Sequence, residues 1–194
     1  MLLLSLVKYL ILRFFMCNEN EMKNAAVADN TTAEAEQPVT VTEVAYTAED
    51  VGFMREAMRL AAMAEEIDEV PVGALVVRNG EIIARAYNTR EHSKCATHHA
   101  EILAIEEACR TLGGWRLPGC TLYVTMEPCC MCAGAIVNAR IPKIVYGAKD
   151  LRFGAFGSLI NLAEIPLNHK PEIVGGVLGE ENVEILRSYF KKKR

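Results

Sequence analysis

The dipeptide Asn79-Gly80 lies between two apolar runs, Gly73-Ala-Leu-Val-Val-Arg78 and Glu81-Ile-Ile-Ala-Arg-Ala-Tyr87. A two-residue hairpin turn needs positive φ at both central positions, which Asn and Gly accept at low cost. The chain is thereby committed to an antiparallel ribbon, and the rest must supply partners for it. Upstream, Thr47 is followed three residues later by Asp50, a helix-start pattern. Val51, Met54, Met58, Ala61 and Ala62 then recur at helical spacing to about Glu66. We assign these methionines to core packing. Downstream, a loop over Asn88–Thr97 leads to a helix that begins at His98-His99-Ala100-Glu101 and is stopped by Gly113-Gly114. A strand follows over Thr121–Thr125. Pro128 then opens a helix over Cys129–Ala139, proline being suited to the first helical position. Lys143–Tyr146 and Glu172–Val174 read as strands and Glu180–Lys192 as a closing helix with basic residues in its last turn. Strands alternating with helices predict an α/β layered domain. There is no internal repeat and no glycine-rich phosphate loop.

Composition narrows the class. With 51% hydrophobic and 24% charged residues, the chain is not of the disordered type. A formal charge of −4 excludes a protein that coats nucleic acid through bulk charge. Residues 1–50 carry three basic and eight acidic side chains, whereas residues 51–194 carry eighteen and seventeen. The division expected is a leader and linker over 1–47 and a catalytic domain over 48–194. The apolar stretch Met1–Cys17 is broken by Lys8 and Arg13, too short between charges to span a bilayer and unlike a signal peptide. We read it as an upstream extension, with initiation at Met16 or Met22, over the alternative of an interfacial anchor, and assign no membrane partner. Seven cysteines, three of them within Cys129–Cys132, fit a reducing, cytoplasmic location and a metal site better than a disulfide framework.

Two segments carry chemistry, His99-Ala100-Glu101 and Pro128-Cys129-Cys130-Met131-Cys132. Cys129 and Cys132, three apart at a helix start, present one face and are biased towards thiolate. With one imidazole they make a His-Cys-Cys zinc set whose fourth position is open, the catalytic pattern. Such a zinc activates water, and a carboxylate beside it moves protons. Glu101 is placed for that. A redox dithiol would follow the first strand of its sheet, and a structural zinc ribbon would need a second close pair of ligands. Cys95, Cys109 and Cys120 provide none. His99 is the ligand by its spacing to Glu101, with His98 left to solvent or the substrate loop. Cys130 is expected in the core, Cys109 and Cys120 as buried small hydrophobes, and Cys95 as a plain loop residue.

These residues resemble the zinc-dependent nucleobase deaminases, with their H-x-E…P-C-x-x-C signature. The likeness runs from about Asp50 to Arg194. It is carried by Glu69-Val-Pro-Val-Gly-Ala74, Thr97 with His99–Ile102, Thr121–Thr125, Glu127–Ala135, Tyr146–Asp150 and Gly157-Ser158. Glu127–Ala135, Gly147–Asp150 and the basic C-terminal helix point to the branch that acts on tRNA. The resemblance implies a three-layer α/β/α cytidine-deaminase-like fold around a mostly five-stranded mixed sheet, and a homodimer. It implies hydrolysis of adenosine to inosine at the wobble position of an arginine-type tRNA anticodon stem-loop. One Zn2+ per subunit would be held by His99, Cys129 and Cys132, with Glu101 as proton shuttle. Asn88 would hydrogen-bond the flipped base, the backbone at Ala100 would face the purine, Asp150 would lie near the sugar, and Phe190 would line the RNA groove. Lys149, Arg152, Lys170 and Lys191–Arg194 would supply a basic edge. One departure stands out: the family pattern Asp-Pro-Thr before the ligand histidine is here Cys95-Ala96-Thr97. Two rivals share the motif, a deaminase of a free base or nucleoside and a non-catalytic zinc module.

Overall fold

The computed structural model describes residues 46–194, so the expectations for the leader fall outside the described residues. The first helix, α1 (Ala48–Glu66), opens with the capping box read from the sequence. The Thr47 hydroxyl accepts from the Asp50 N–H at 3.1 Å, and Asp50 Oδ2 accepts from the Thr47 N–H at 2.9 Å. Asp50 is buried, and its Oδ1 accepts from the Tyr123 hydroxyl at 2.9 Å and faces Lys143 Nζ at 3.4 Å. One side chain therefore caps the helix and pins it to two strands.

Strands β1 (Gly73–Arg78) and β2 (Glu81–Tyr87) form the expected hairpin, with Asn79 at φ 54° and Gly80 at φ 78°. A register shift falls between Val76 and Val77. A short helix, α2 (Arg90–Ser93), lies inside the stretch expected to be loop. Helix α3 (Ala100–Leu112) ends on Gly113 in the left-handed region. Then come β3 (Cys120–Met126), α4 (Cys130–Asn138), β4 (Lys143–Ala148), β5 (Glu172–Val174) and α5 (Gly179–Lys192).

The strands make one mixed sheet in the order β2-β1-β3-β4-β5, antiparallel at β2-β1 and β1-β3 and parallel at β3-β4 and β4-β5. Rows of side chains cross it by register. Leu75, Tyr123, Val145 and Val174 stand in line on one face, under Met54, Ala57 and Leu60 of α1. Val76, Leu122 and Ile144, with Ala74, Val124 and Tyr146, line the other face. There they pack on Ala104 and Ala108 of α3 and Ile136 of α4. Helix α5 joins the α1 face, where the Tyr189 hydroxyl donates to the Asp68 carbonyl at 3.0 Å. The result is the three-layer α/β/α sandwich expected from the sequence. Among the described residues no helix is long and apolar enough to cross a membrane.

Topology sets the place of the site. The starts of β1 and α3 and the ends of β2, β3 and β4 meet at one edge of the sheet, at the carboxyl ends of the parallel pair. Ligands of open α/β sheets bind at that kind of edge.

Burial alone would raise the Asp50 carboxyl, but hydrogen bonds from Thr47 and Tyr123 and the Lys143 charge hold it below its ordinary 3.8. A lowered folded pKa stabilises above the unfolded value and is lost as pH falls through the folded one. Asp50→Ala should therefore cost about 1–2 kcal/mol at pH 7. In urea unfolding at a series of pH values, the gap from the unsubstituted protein should close below about pH 4.

Candidate active site

Two helices begin facing each other at this edge. His99 is the N-cap of α3 and Cys129 the N-cap of α4, both with extended backbone. Neither side chain caps its own helix, so imidazole and thiol are free to turn towards each other. The helix opened at Pro128 in the sequence reading in fact begins at Cys130. Pro128 lies outside it, and its carbonyl accepts from the Ala155 N–H at 2.9 Å. Cys132 lies buried in the first turn beside the cap, whereas Cys130 faces solvent, correcting its expected place in the core. Of the other two thiols expected to be buried, Cys120 is, whereas Cys109 is only partly covered.

The His99 Nδ1 atom lies 3.7 Å from Cys129 Sγ and 3.6 Å from Cys132 Sγ, and all three donor atoms fall within 4.8 Å of one another. Tetrahedral zinc with ordinary bond lengths to nitrogen and sulfur separates those atoms by about 3.6 Å. The donor set and its spacing fit zinc. Two N-termini point at the cluster, and their dipoles favour negative sulfur. A hydrogen bond from the Cys132 thiol, with another from His99, pulls Cys129 down to about 4. The same hydrogen bond, followed by burial, pushes Cys132 up, and the bond to Cys129 raises His99.

Glu101, in the first turn of α3, is 4% exposed and lies beside His99 and Cys132. Burial raises its pKa. A carboxyl poised in this way can take and return a proton. Ala100 is fully buried at the start of the same helix. Asn88, at the end of β2, is also buried, and the Thr89 N–H donates to the His98 carbonyl at 3.2 Å, which brings the two segments together. Asp150 follows β4, and its carboxylate accepts from the Arg152 and Phe153 N–H groups at 3.0 and 3.3 Å, closing its own loop. Phe190 is exposed on α5, edge-on to Tyr189. The structure thus gathers His99, Glu101, Cys129 and Cys132. Asn88 and Asp150 lie on loops at the same edge, and Phe190 on the far end of α5.

Two buried acids went unassigned in the sequence reading. Glu127 Oε1 accepts from the Phe156 and Ser158 N–H groups at 3.0 and 3.1 Å, and its Oε2 accepts from the Asp150 N–H at 3.1 Å. Gly154 bridges to Cys129 and has no room for a Cβ, which would stand 2.5 Å from the Glu127 carboxyl. The loop after β4 is thereby strapped over the cysteine loop. Glu69 Oε2 accepts from Asn88 Nδ2 at 3.0 Å, and its Oε1 accepts from the His92 N–H at 2.6 Å. The one local signal for either was an acid set against apolar neighbours and proline.

A three-layer sandwich with an imidazole, two thiols and a buried carboxyl at its edge defines a deaminase, and the chain belongs to the MafB19-like deaminase family, whose model matches residues 48–194. It is 52% identical over 147 residues to the tRNA-specific adenosine deaminase of Bacillus subtilis (strain 168), covering 75% of this chain and 91% of that one. Over 148 residues it is 46% identical to the tRNA-specific adenosine deaminase of Agrobacterium fabrum (strain C58 / ATCC 33970), covering 76% and 97%. A solved structure from work on A-to-I editing by tRNA:A34 deaminases at the wobble position matches with a TM-score of 0.68 at 46% identity, covering 70% of this chain and 99% of that chain.

Replacing Glu127 by Gln sets an NH2 group against backbone N–H donors. The loss of satisfied buried bonds should cost about 1–3 kcal/mol. It should appear as a lower unfolding midpoint and faster amide exchange over residues 150–158.

Proposed function

We propose that the chain catalyses zinc-dependent hydrolytic deamination of adenosine to inosine at the wobble position of a tRNA anticodon. The observation that carries the chemistry is the three-donor set at zinc spacing with the buried Glu101 carboxyl beside it. The names of its relatives support the substrate. His99, Cys129 and Cys132 would hold one zinc per subunit. Bound there, zinc supplies Lewis acidity that brings the pKa of a water towards neutrality. Glu101 would take a proton from the attacking water and deliver it to N1 of the purine. It then passes the second proton to the amine, which leaves as ammonia as the C6–O bond replaces C6–N. The raised pKa of Glu101 suits both directions of transfer.

Asn88 and the backbone at Ala100 hold the flipped base. Asp150 shapes the loop nearest the sugar, and Phe190 with Lys191–Arg194 offers a stacking and basic edge to the RNA. The catalytic domain is residues 48–194, the span of the family match, with residues 1–47 outside it. The working form is a cytoplasmic homodimer.

The test is inosine formation on an arginine-tRNA anticodon stem-loop with adenine at the wobble position, beside free adenosine, guanine and cytidine. Turnover of the stem-loop alone is expected. Turnover of a free base alone would move the chain to another branch of the family. Glu101→Gln should abolish turnover and leave bound zinc unchanged by atomic absorption. Cys132→Ser should lose the metal and lower the unfolding midpoint, because metal binding contributes to folding. Exposed Cys130→Ser should change neither.

A further inference from the structure

Glu69 is 1% exposed and lies in the turn between α1 and β1. Its two oxygens have different partners. The His92 N–H, in α2, donates to Oε1 at 2.6 Å, and Asn88 Nδ2 donates to Oε2 at 3.0 Å. The same Nδ2 also lies 3.4 Å from the Val70 carbonyl. Both amide hydrogens of Asn88 are therefore directed at acceptors that have no alternative role, since neither a carboxylate nor a carbonyl can donate. An amide turned the other way would set its oxygen against two oxygens. The orientation of Asn88 follows from chemistry.

The outcome is that Asn88 has its oxygen left over. Among the described residues Oδ1 has no hydrogen-bond partner, yet it is not among the buried orphan atoms, which are Ser158 Oγ and Asn182 Oδ1. It is open at the edge of the sheet where the Thr89–His98 hydrogen bond draws the end of β2 beside His99. We propose that Glu69 is a positioning residue that fixes the polarity of Asn88, so that the side chain meets the flipped nucleotide as an acceptor. Its partner is then a donor of that nucleotide, either the N6 amine or the ribose 2′-hydroxyl. The inference rests on the reading of Asn88 as a nucleotide contact.

Two donors, the His92 N–H and Asn88 Nδ2, converge on the Glu69 carboxylate, and the polarity at the Asn88 end can be reversed. In Glu69→Gln the His92 N–H still requires an oxygen, so the new amide nitrogen faces Asn88. Asn88 must rotate, and its NH2 then meets a donor on the nucleotide. In the double variant Glu69→Gln with Asn88→Asp, one Asp oxygen accepts from the Gln nitrogen and the other faces the nucleotide. The acceptor is restored, and the pair carries the same net charge as before.

On the stem-loop, Glu69→Gln should lower kcat/KM by about 10- to 100-fold, as for a buried polar group left mispaired. The double variant should recover most of that loss while its unfolding midpoint stays at that of Glu69→Gln. A double variant no more active than Glu69→Gln would overturn the proposal, as would recovery that merely tracks the midpoint, since either would mean a structural role. Asn88→Ala separates the two readings. If it is as active as the unsubstituted enzyme, Asn88 does not contact the nucleotide. If it is impaired while Glu69→Gln is not, the contact stands and the positioning role falls. A stem-loop with 2′-deoxyadenosine at the wobble position identifies the donor. If the Glu69→Gln penalty disappears on this substrate, the donor is the hydroxyl; if it persists, the donor is the amine.

Discussion

Two helix N-termini meeting across the carboxyl ends of β3 and β4 are the constraint on which the site depends. Each offers unpaired N–H groups and the positive end of a dipole. Because His99 and Cys129 are the caps themselves, their side chains leave the helices in extended geometry and converge. Cys132 arrives from the next turn already buried. Hydrogen bonds from Cys132 and His99 hold the Cys129 thiol well below its ordinary range.

Three buried glutamates around these caps divide by what surrounds them. Glu127 accepts three backbone N–H bonds and Glu69 two hydrogen bonds, one of them from a backbone N–H. Such donors fix each carboxyl in place and make it an anchor. Glu101 is buried at the metal set, and burial prevails, so its proton is held more readily. Glu127 and Glu69 are thus tied down by several donors, while Glu101 sits beside the His99, Cys129 and Cys132 donor atoms. The strap matters to the metal set because the loop that Glu127 holds pairs directly with Cys129 at Gly154.

Much of this was legible in the sequence for local reasons. The Asn79-Gly80 turn, the Thr47–Asp50 box and the Gly113 stop depend on residues within a few positions, and each is where the pattern put it. The metal set was legible because two short motifs sit at helix starts. The exposure of Cys130 was not: spacing turns it away from the donor set but does not say whether that side of the helix is covered, and it faces solvent. Glu69 and Glu127 were opaque for a different reason: their partners are 19 to 31 residues away, and no spacing rule connects an acid to distant backbone N–H groups.

Where the family pattern places a proline before Thr97, this chain has Ala96. A proline stiffens a segment by fixing φ and lowering the entropy of the unfolded chain. Here the segment is closed by its own hydrogen bonds instead. Lys94 takes a left-handed conformation at φ 54°, the Cys95 N–H donates to the Arg90 carbonyl at 3.2 Å, and the His98 N–H donates to the Cys95 carbonyl at 3.1 Å. The His99 N–H then donates to the Thr97 carbonyl at 2.8 Å, fixing the cap one residue before the helix begins. The Cys95 and Thr97 side chains add a contact at 3.3 Å. Helix α2 anchors the far end through His92 and Glu69. His99 is therefore fixed by the backbone bonds of the segment before it, and the α2 that closes this segment also donates, through the His92 N–H, to the Glu69 carboxylate that binds Asn88.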